Sequence, residues 1–507
     1  MKRNRILMAA VLIALVLTSC KHNIIAKENS LILDKKAEPE IVQEEVKIID
    51  DLFGDKKYWN KIGQYDTNYV KLKDINKEDI EEIEVYFSML GESSTIKELS
   101  DGYITVGLKK YVKSERLTKN KAAFYYKPIF QKLDETGKIV WEKELNENIP
   151  SGSIKHLLTF EDDSFLFAVD SYPQWINGKL TKENSYIVKF DKEGNQLWKQ
   201  EFDNFSRDMF VDILLTDSKE IFTIGEWMAK DGKASINEEQ IVNGDGSNDI
   251  VITKLDSKGN IVGQKSFGGS DYEDLYVSKY DKDMGIIIKG RTRSKDGSLA
   301  INGKEDSKIF VACIDEKDLK IKWVHHLEEN YSPYNQLYID NGLVYVAVDG
   351  GSTHSKENKG QIITINNEGK VTNTITNIYP EPERWAESMI TLNNHDIIVG
   401  CGNQNVGTLR IFSNSGEEKK IIKNLNLSPN EIIPTDDGGF IIKSIREIET
   451  IPQPPYISSI WFDHEIVIIK YDSDYRVEWR KTYDKYKGSI EVEKVIPLKN
   501  NKVIVEK

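Results

Sequence analysis

Two clusters of acidic and hydroxyl side chains are the first candidates for chemistry in this sequence. Asp245, Ser247 and Asp249 alternate along one segment and present oxygen atoms at a spacing that suits calcium. The segment lacks the glycine and the terminal glutamate of an EF-hand loop, so a solvated turn is the preferred interpretation. The same interpretation applies to a second acidic group, Asp271, Glu273 and Asp274.

Nucleophiles and histidines give no recognisable catalytic pattern. The seven histidines are scattered, and His325 and His326 are the only adjacent pair. Neighbouring strand residues point to opposite faces, so this pair is poorly placed to share a metal ion. Ser94 and Lys97 match Ser-x-x-Lys without its companion motifs, and we find no metalloprotease helix motif, nucleophile elbow or phosphate loop. The sequence therefore predicts no catalytic residue, no cofactor and no metal.

Two irregular segments, residues 379–385 and 452–462, combine prolines with aromatic residues. Rigid loops with aromatic side chains suit the binding of a peptide or a glycan. Trp385, Tyr456 and Trp461 are accordingly the candidate partner-binding residues. The alternative is that these loops only pack over the rim of the fold.

The first residues have the layout of an export signal. Lys2, Arg3 and Arg5 precede an uncharged apolar stretch, 6–17, and then small residues. This layout predicts a signal peptide at residues 1–19, because the stretch is too short for a comfortable membrane span.

Leu17, Thr18, Ser19 and Cys20 resemble the lipobox of bacterial lipoproteins. The resemblance implies a diacylglyceryl group on Cys20 and a further acyl chain, such as palmitate, on its amine. Two or three chains anchor a protein stably, whereas one does so only marginally. Lys21 favours the outer membrane if the host is Gram-negative. The alternative is an ordinary secretion signal with a coincidental cysteine.

Composition excludes several classes of protein. The 507 residues are 39% hydrophobic and 30% charged, as in a folded chain, and the net charge is −13. Removing the signal peptide deletes three positive charges and moves the net charge to −16. Nucleic acid is therefore not an expected partner. Residues 20–55 are polar and charge-rich, and we interpret them as a tether that follows the anchor.

One motif recurs through the remainder, residues 56–507: a strand end, aspartate, a turn with glycine, and then tryptophan. The aspartate or its equivalent falls at Asp134, Asp191, Asp256, Asp315, Asn366, Ser413 and Asp472. The mean step is about 56 residues. Between these turns lies a second series of hairpins, as at residues 101–107 and 163–167, built from short β-branched and aromatic runs. Two hairpins per period make about four strands, which predicts an all-β fold, a β-propeller.

The hairpin count predicts about eight four-stranded blades, with seven as the alternative. An eighth Asp-type hairpin is placed at 70–74, one period before Asp134. The two chain ends would then share one blade and close the ring. In the alternative, residues 76–87 form a short capping helix. Cys313 and Cys401 lie on or beside strands of different blades, and free buried thiols are favoured over a disulfide.

The stretch 134–141, Asp-x-Thr-Gly-x-x-x-Trp, resembles the repeat of pyrroloquinoline-quinone-type propellers. The resemblance implies that the tryptophan packs between neighbouring blades. It assigns that role to Trp141, Trp198, Trp323 and Trp479. Residues 259–271, with Phe-Gly-Gly-Ser-Asp, resemble repeats of surface lipoproteins of anaerobic bacteria. Quinone-dependent enzymes of this fold are longer and have cofactor-facing residues that we do not find, so the resemblance does not imply catalysis.

The sequence thus favours a non-catalytic, lipid-anchored propeller of the bacterial cell envelope that binds proteins or surface glycans. The membrane is its partner through Cys20. The alternative is an exported hydrolase or lyase acting on carbohydrate or peptide, with its site in the propeller channel.

Overall fold

We analysed a computed structural model of the chain. It describes residues 82–85 and 95–506, except for gaps at 113–123, 148–151, 172–174, 177–178, 181–184, 203–204, 230–232, 238–239, 244–247, 304–305, 328–336, 349–359, 379–384, 404–405, 424, 426, 452–460, 485–493 and 499–501. By compactness the chain divides into a unit of residues 68–449 and 462–507, which carries the sheets, and a unit of residues 1–67 and 450–461, nearly all of it outside the described residues. The signal peptide, the tether and Cys20 also lie outside them and stay predictions.

The described residues form strands and no α-helix, as predicted for an all-β protein. Seven four-stranded antiparallel sheets follow one another along the chain as blades one to seven. Blades one to four are β2(Thr95–Leu99), β3(Gly102–Val112), β4(Phe124–Leu133), β5(Ile139–Glu144); β6(Gly152–Thr159), β7(Phe165–Ser171), β10(Ser185–Phe190), β11(Gln196–Phe202); β12(Phe205–Leu215), β13(Ile221–Ala229), β16(Asp249–Leu255), β17(Ile261–Phe267); and β18(Glu273–Asp281), β19(Gly285–Thr292), β20(Lys308–Ile314), β21(Ile321–His326).

Blades five to seven repeat the same order. They are β22(Leu337–Asp340), β23(Leu343–Val348), β24(Gln361–Asn366), β25(Val371–Thr376); β26(Trp385–Thr391), β27(Ile397–Asn403), β28(Val406–Phe412), β29(Glu418–Ile422); and β30(Glu431–Pro434), β31(Phe440–Ile451), β32(Trp461–Tyr471), β33(Val477–Asp484). Two small hairpins are inserted in blades two and three, β8(Trp175–Ile176) with β9(Lys179–Leu180), and β14(Lys233–Asn237) with β15(Gln240–Asn243).

The chain ends meet in a further sheet of three strands, β1(Glu82–Val85), β35(Val503–Glu506) and β34(Lys494–Pro497). β1 pairs with β35 in parallel, so the predicted pairing of the two ends is observed. Among the described residues there are therefore seven four-stranded blades, the alternative count and not the favoured eight, and the eighth sheet shows three strands. The segment considered as a capping helix has a strand at Glu82–Val85, and the hairpin placed at 70–74 lies outside the described residues.

Side chains along the second strand of each blade point alternately towards the two neighbouring sheets and contact them. In β7, Phe165 and Phe167 pack towards blade one, whereas Leu166 and Ala168 pack towards blade three. The central strands are therefore buried on both faces and read as nearly continuous apolar runs.

A hydrophobic cluster lies between each successive pair of sheets. Val503 and Val505 pack on blade seven, and Ile504 packs on Tyr103 of blade one. The three-stranded sheet thus closes the ring between the first and the last blade.

The repeated aspartate shapes the turn between the third and fourth strands. Asp134 Oδ1 accepts hydrogen bonds from the backbone N–H groups of Thr136 at 2.8 Å and Lys138 at 3.0 Å. These donors, with the Thr136 hydroxyl as the largest contributor, hold the pKa of Asp134 below its ordinary value. Gly137 adopts a φ of 84°, which a β-carbon disfavours. The motif therefore stabilises the turn of this hairpin, through side-chain hydrogen bonds to the backbone.

The repeated tryptophan packs against the turn of the next blade, as the resemblance implied. Trp198 lies against Gly259 and donates from Nε1 to the carbonyl of Ser257 at 3.0 Å. Trp323 repeats this arrangement against Gly369, and Trp141 lies against Gly194. A β-carbon on these glycines would collide with the indole ring, so the aromatic and the glycine depend on each other. Trp479 instead packs with the terminal strand β35.

Where the tryptophan is missing, other chemistry fills its place. In blade five Asn373 donates to the carbonyl of Ser415 at 3.1 Å. In blade six Lys420 donates to the carbonyl of Tyr475 at 3.0 Å and lies 5.6 Å from that ring. The loss of the repeated residue in the sequence therefore does not mean loss of the contact.

Candidate functional site

The innermost strands surround a cavity of about 470 Å³. The first strands of successive blades contact one another around the ring, so this cavity lies in the propeller channel. Its wall comes from blades one, two, three and seven and from β34 of the terminal sheet. Ligand pockets of proteins have volumes in this range and combine apolar walls with a few polar groups.

Backbone bulges help to place side chains in this wall. The first strands of blades two, three, four and six each carry a register shift. In blade two the shift lies between Lys155 and Leu158, and His156 inside it adopts a φ of 55°. Because a bulge changes where a side chain points, His156 reaches the cavity wall.

His156 faces Asp212 of the next blade. The His156 Nδ1 lies 3.4 Å from Asp212 Oδ1. That oxygen also accepts from the backbone N–H of Ile213 at 2.9 Å, and Oδ2 accepts from the Ser278 hydroxyl at 2.8 Å. The carboxylate therefore stands between the serine and the histidine. In a catalytic triad the imidazole must contact the hydroxyl, so this order does not activate Ser278.

A second charged pair and a separate lysine complete the polar lining. Lys443 Nζ lies 3.1 Å from Glu431 Oε2. Lys97 is exposed on β2 and has no hydrogen bond or ion pair with any residue that the structure describes. The apolar part includes Ile96 and Ile213. The cavity thus has an apolar wall with one lysine free to meet a ligand.

A buried pair of acids lies outside the channel, between blades three and four. Glu273 is fully buried and Asp249 nearly so. Glu273 accepts from the Thr292 hydroxyl at 2.8 Å and from the backbone N–H of Gly269 at 3.3 Å, and Asp249 hydrogen-bonds to it. Burial is the largest effect and raises the pKa of Glu273 above its ordinary value. Two adjacent buried carboxyl groups favour a shared proton.

The Gly268–Gly269 turn covers this acid pair. A β-carbon on Gly268 would collide with carboxylate oxygens of both Asp249 and Glu273. The following N–H groups are also engaged, because Ser270 N donates to Asp296 Oδ1 at 2.7 Å. The Phe-Gly-Gly-Ser motif is therefore a packing device that lets the backbone approach two acids.

Of the two acidic clusters considered for calcium, only the second lies wholly within the described residues, and its side chains do not converge into a site. Asp245 and Ser247 lie outside the described residues. Asp274 forms an ion pair with Arg291 at 2.5 Å, whereas Glu273 is buried on the blade interface and Asp271 is exposed. Within the described part of the chain, no group of three or more histidine, cysteine or acidic residues is placed to hold a metal ion.

The remaining candidate residues have structural surroundings or are not described. His325 and His326 follow each other on β21, as predicted, and His326 Nε2 lies 3.3 Å from the carbonyl of Leu299. Burial lowers the pKa of His326.

Cys313 and Cys401 are free and buried, which confirms the favoured interpretation. Burial raises the pKa of Cys313 to about 11.

The structure does not bring the partner-binding candidates together. Trp385 begins β26 and Trp461 begins β32, but their side chains lie outside the described part, as does all of Tyr456. Their proposed role stays a prediction.

Sequence reasoning missed the channel residues His156, Asp212 and Lys443. His156 and Asp212 lie on the first strands of blades two and three, whereas Lys443 lies on the second strand of blade seven, and none of them belongs to a repeat motif. The one available signal was that Asp212 and Lys443 each follow a run of three apolar residues.

No family model and no curated protein matches the chain. Among solved structures it is similar to a protein from Lactobacillus plantarum, with 10% identity, a TM-score of 0.41 and coverage of 75% of this chain and 96% of that one. It is also similar to a protein of unknown function from Bacteroides caccae, with 12% identity, a TM-score of 0.30 and coverage of 75% and 94%. An acylaminoacyl peptidase from Pyrococcus horikoshii has 11% identity, a TM-score of 0.39 and coverage of 80% and 55%. The chain thus spans about half of that peptidase, and none of these likenesses assigns it an activity. Among the described residues no helix has the length and apolarity needed to cross a membrane.

Proposed function

We propose that this chain is a lipid-anchored, extracytoplasmic β-propeller that binds an envelope protein or a surface glycan and catalyses no reaction. Export and anchoring rest on the signal layout and on Cys20. Rigid scaffolds commonly carry their binding residues on loops, and the candidate loops here are those of Trp385, Tyr456 and Trp461. In a Gram-negative host the site of attachment is the outer membrane.

The observation that carries the non-catalytic part is the order of groups in the channel. One carboxylate oxygen of Asp212 accepts a hydrogen bond from the Ser278 hydroxyl, and the other oxygen faces His156. Both carboxylate oxygens are thereby engaged by the protein, and the Ser278 hydroxyl contacts the carboxylate instead of the imidazole that a serine nucleophile of the triad type requires. The described channel residues therefore support recognition better than acyl transfer.

The anchor is tested by metabolic labelling with an alkyne analogue of palmitate. The wild-type chain and a Cys401→Ala variant should be labelled and sediment with membranes, whereas Cys20→Ala should do neither. Labelling of the Cys20→Ala chain would contradict the proposed anchor.

Binding is tested by cross-linking in the native envelope, purification and mass spectrometry. The same partner should be recovered from independent preparations, and its recovery should fall with Trp385→Ala or Tyr456→Ala. Tyr272→Ala is the matched control, because Tyr272 is an exposed aromatic residue on a different loop. An unchanged yield with both loop variants would overturn the role of these loops.

The channel hydrolase is the second candidate, and the His156–Asp212 pair is the observation in its favour. It predicts turnover of a panel of saccharides and peptides that Asp212→Asn abolishes. Such turnover would overturn the non-catalytic proposal.

A further inference from the structure

The channel cavity has the features of a binding site for a small molecule. This site is separate from the loops proposed to bind a protein or glycan partner. Its apolar side is formed by Ile96, Leu158, Ile213 and Ile496, which come from four different sheets. Binding of an aliphatic group against this wall is favourable, because apolar surface of both the group and the wall is removed from water.

The charges of the cavity are unequally satisfied. Asp212 accepts the Ser278 hydroxyl and the backbone N–H of Ile213, and Glu431 pairs with Lys443. Lys97 also lines the cavity, and it has no partner among the described residues. An entering anion would therefore meet a lysine that does not first have to give up a protein partner, whereas an entering cation would meet acids already engaged.

From this contrast we propose that the cavity binds a small aliphatic carboxylate, with its carboxylate on Lys97 and its apolar part against Ile213 and Ile496. The site is independent of the partner-binding loops, so it does not rest on the proposed function. Two sources share this chemistry, a short fatty acid and the carboxyl end of an apolar peptide.

Binding should also strengthen ring closure. Ile496 belongs to the terminal sheet, whereas Ile213 belongs to blade three. A ligand that contacts both binds the closed ring and not the unfolded chain, so it should raise the melting temperature.

Isothermal titration calorimetry tests the proposal on the mature chain with Cys20→Ala, which needs no detergent. The probes are octanoate, its neutral analogue octanamide, and acetyl-leucyl-leucine as the peptide acid. At least one acid should bind with a stoichiometry of one, and octanamide should bind about tenfold more weakly than octanoate if the fatty acid is the ligand. The better of the two acids identifies the source.

Lys97→Gln should weaken the acid about tenfold and leave octanamide unchanged, and Lys97→Glu should weaken the acid further. Lys138→Gln is the control, because Lys138 is exposed on a turn outside the cavity lining. Lys97 is itself exposed, so these variants should melt as the wild type does without ligand. The proposal is overturned if neither acid binds, or if acid binding is the same in Lys97→Gln. A failure here leaves the cross-linking experiment unaffected, so the two proposals can be judged separately.

Discussion

Two neighbouring interfaces of the ring solve the same packing problem in opposite ways. Between blades two and three, Trp198 from a strand covers Gly259 in the facing turn. Between blades three and four the strand position is Gly263, and the turn provides Leu319, whose Cδ1 would lie 3.6 Å from a β-carbon on that glycine. The large and the small residue have exchanged sides. The interface therefore requires a filled volume, not a particular residue in a particular strand.

The second interface also contains the buried acids. Asp249 and Glu273 lie between blades three and four under Gly268. They are additional to a bond that both interfaces share: Asp170 accepts from the backbone N–H of Phe210 at 3.2 Å between blades two and three, and Glu226 accepts from the backbone N–H of Leu275 at 2.7 Å between blades three and four. The tryptophan–glycine contact between blades two and three thus recurs between blades one and two and between blades four and five, whereas the acid pair is an added feature of the interface between blades three and four.

The largest expected effect tests the tryptophan–glycine contact. Gly259→Ala introduces strain at a φ of 83° and a collision with the Trp198 ring, and we expect a loss of about 3 kcal/mol in the free energy of unfolding. Gly342→Ala is the control, because Gly342 has a φ of 67° and nothing within 4 Å of the added carbon, so only the strain of about 1 kcal/mol applies. Urea denaturation measures both. Equal losses would mean that the Trp198 contact carries no packing constraint.

The exchanged interface is tested by Leu319→Gly. The turn residue is buried and has a φ of 55°, so glycine relieves strain but leaves a cavity. Because loss of a buried leucine costs more than this strain, we expect a net loss of about 2 kcal/mol in urea denaturation. A variant more stable than the wild type would show that the leucine does not fill the interface. Lys320→Gly, at the exposed neighbouring position, should cost about 1 kcal/mol or less.

The acid pair predicts a pH dependence. The pKa of Glu273 is raised in the folded chain, so the folded state holds a proton more tightly than the unfolded state. This contribution to stability is complete below the ordinary glutamate pKa, and it is lost as pH rises through the higher folded value. We expect Glu273→Gln to abolish this loss of stability with rising pH. At pH 7 the variant should be at least as stable as the wild type, because the amide can donate to Asp249.

Urea denaturation from pH 4 to pH 8 measures the change in slope. Glu135→Gln, which alters an exposed acid in a turn, should keep the wild-type slope. An unchanged slope in Glu273→Gln would show that the acid pair does not hold the proton.

The smallest effect concerns the blade in which asparagine replaces tryptophan. Asn373→Ala removes one partly exposed hydrogen bond to the carbonyl of Ser415, and we expect a loss of about 1 kcal/mol. Thr374→Ala, on the exposed next position of the strand, should change stability by less than about 0.5 kcal/mol. Thermal denaturation of the two variants would contradict the prediction if their melting temperatures were equal.

Local sequence determined the blade, because its turns and strands depend on neighbouring residues. An aspartate whose side chain reaches N–H groups two and four residues ahead forms the same turn at Asp134 and at Asp472. Alternating and continuous apolar runs then give the strand positions in each blade. The tryptophan contact could be predicted only from the resemblance, because nothing in the sequence near Trp198 identifies Gly259 as its neighbour.

Tertiary structure alone decided the rest. Which strands meet in the eighth sheet depends on the pairing of β1 with β35, whose residues are more than 400 positions apart. The cavity likewise joins Lys97, Asp212 and Ile496, and the acid pair joins Asp249 with Glu273 across two blades. No local rule relates such residues, because their proximity results from closing the ring. The sequence by itself therefore determined the repeating unit, and closure of the ring determined which unlike residues meet in the channel and between the blades.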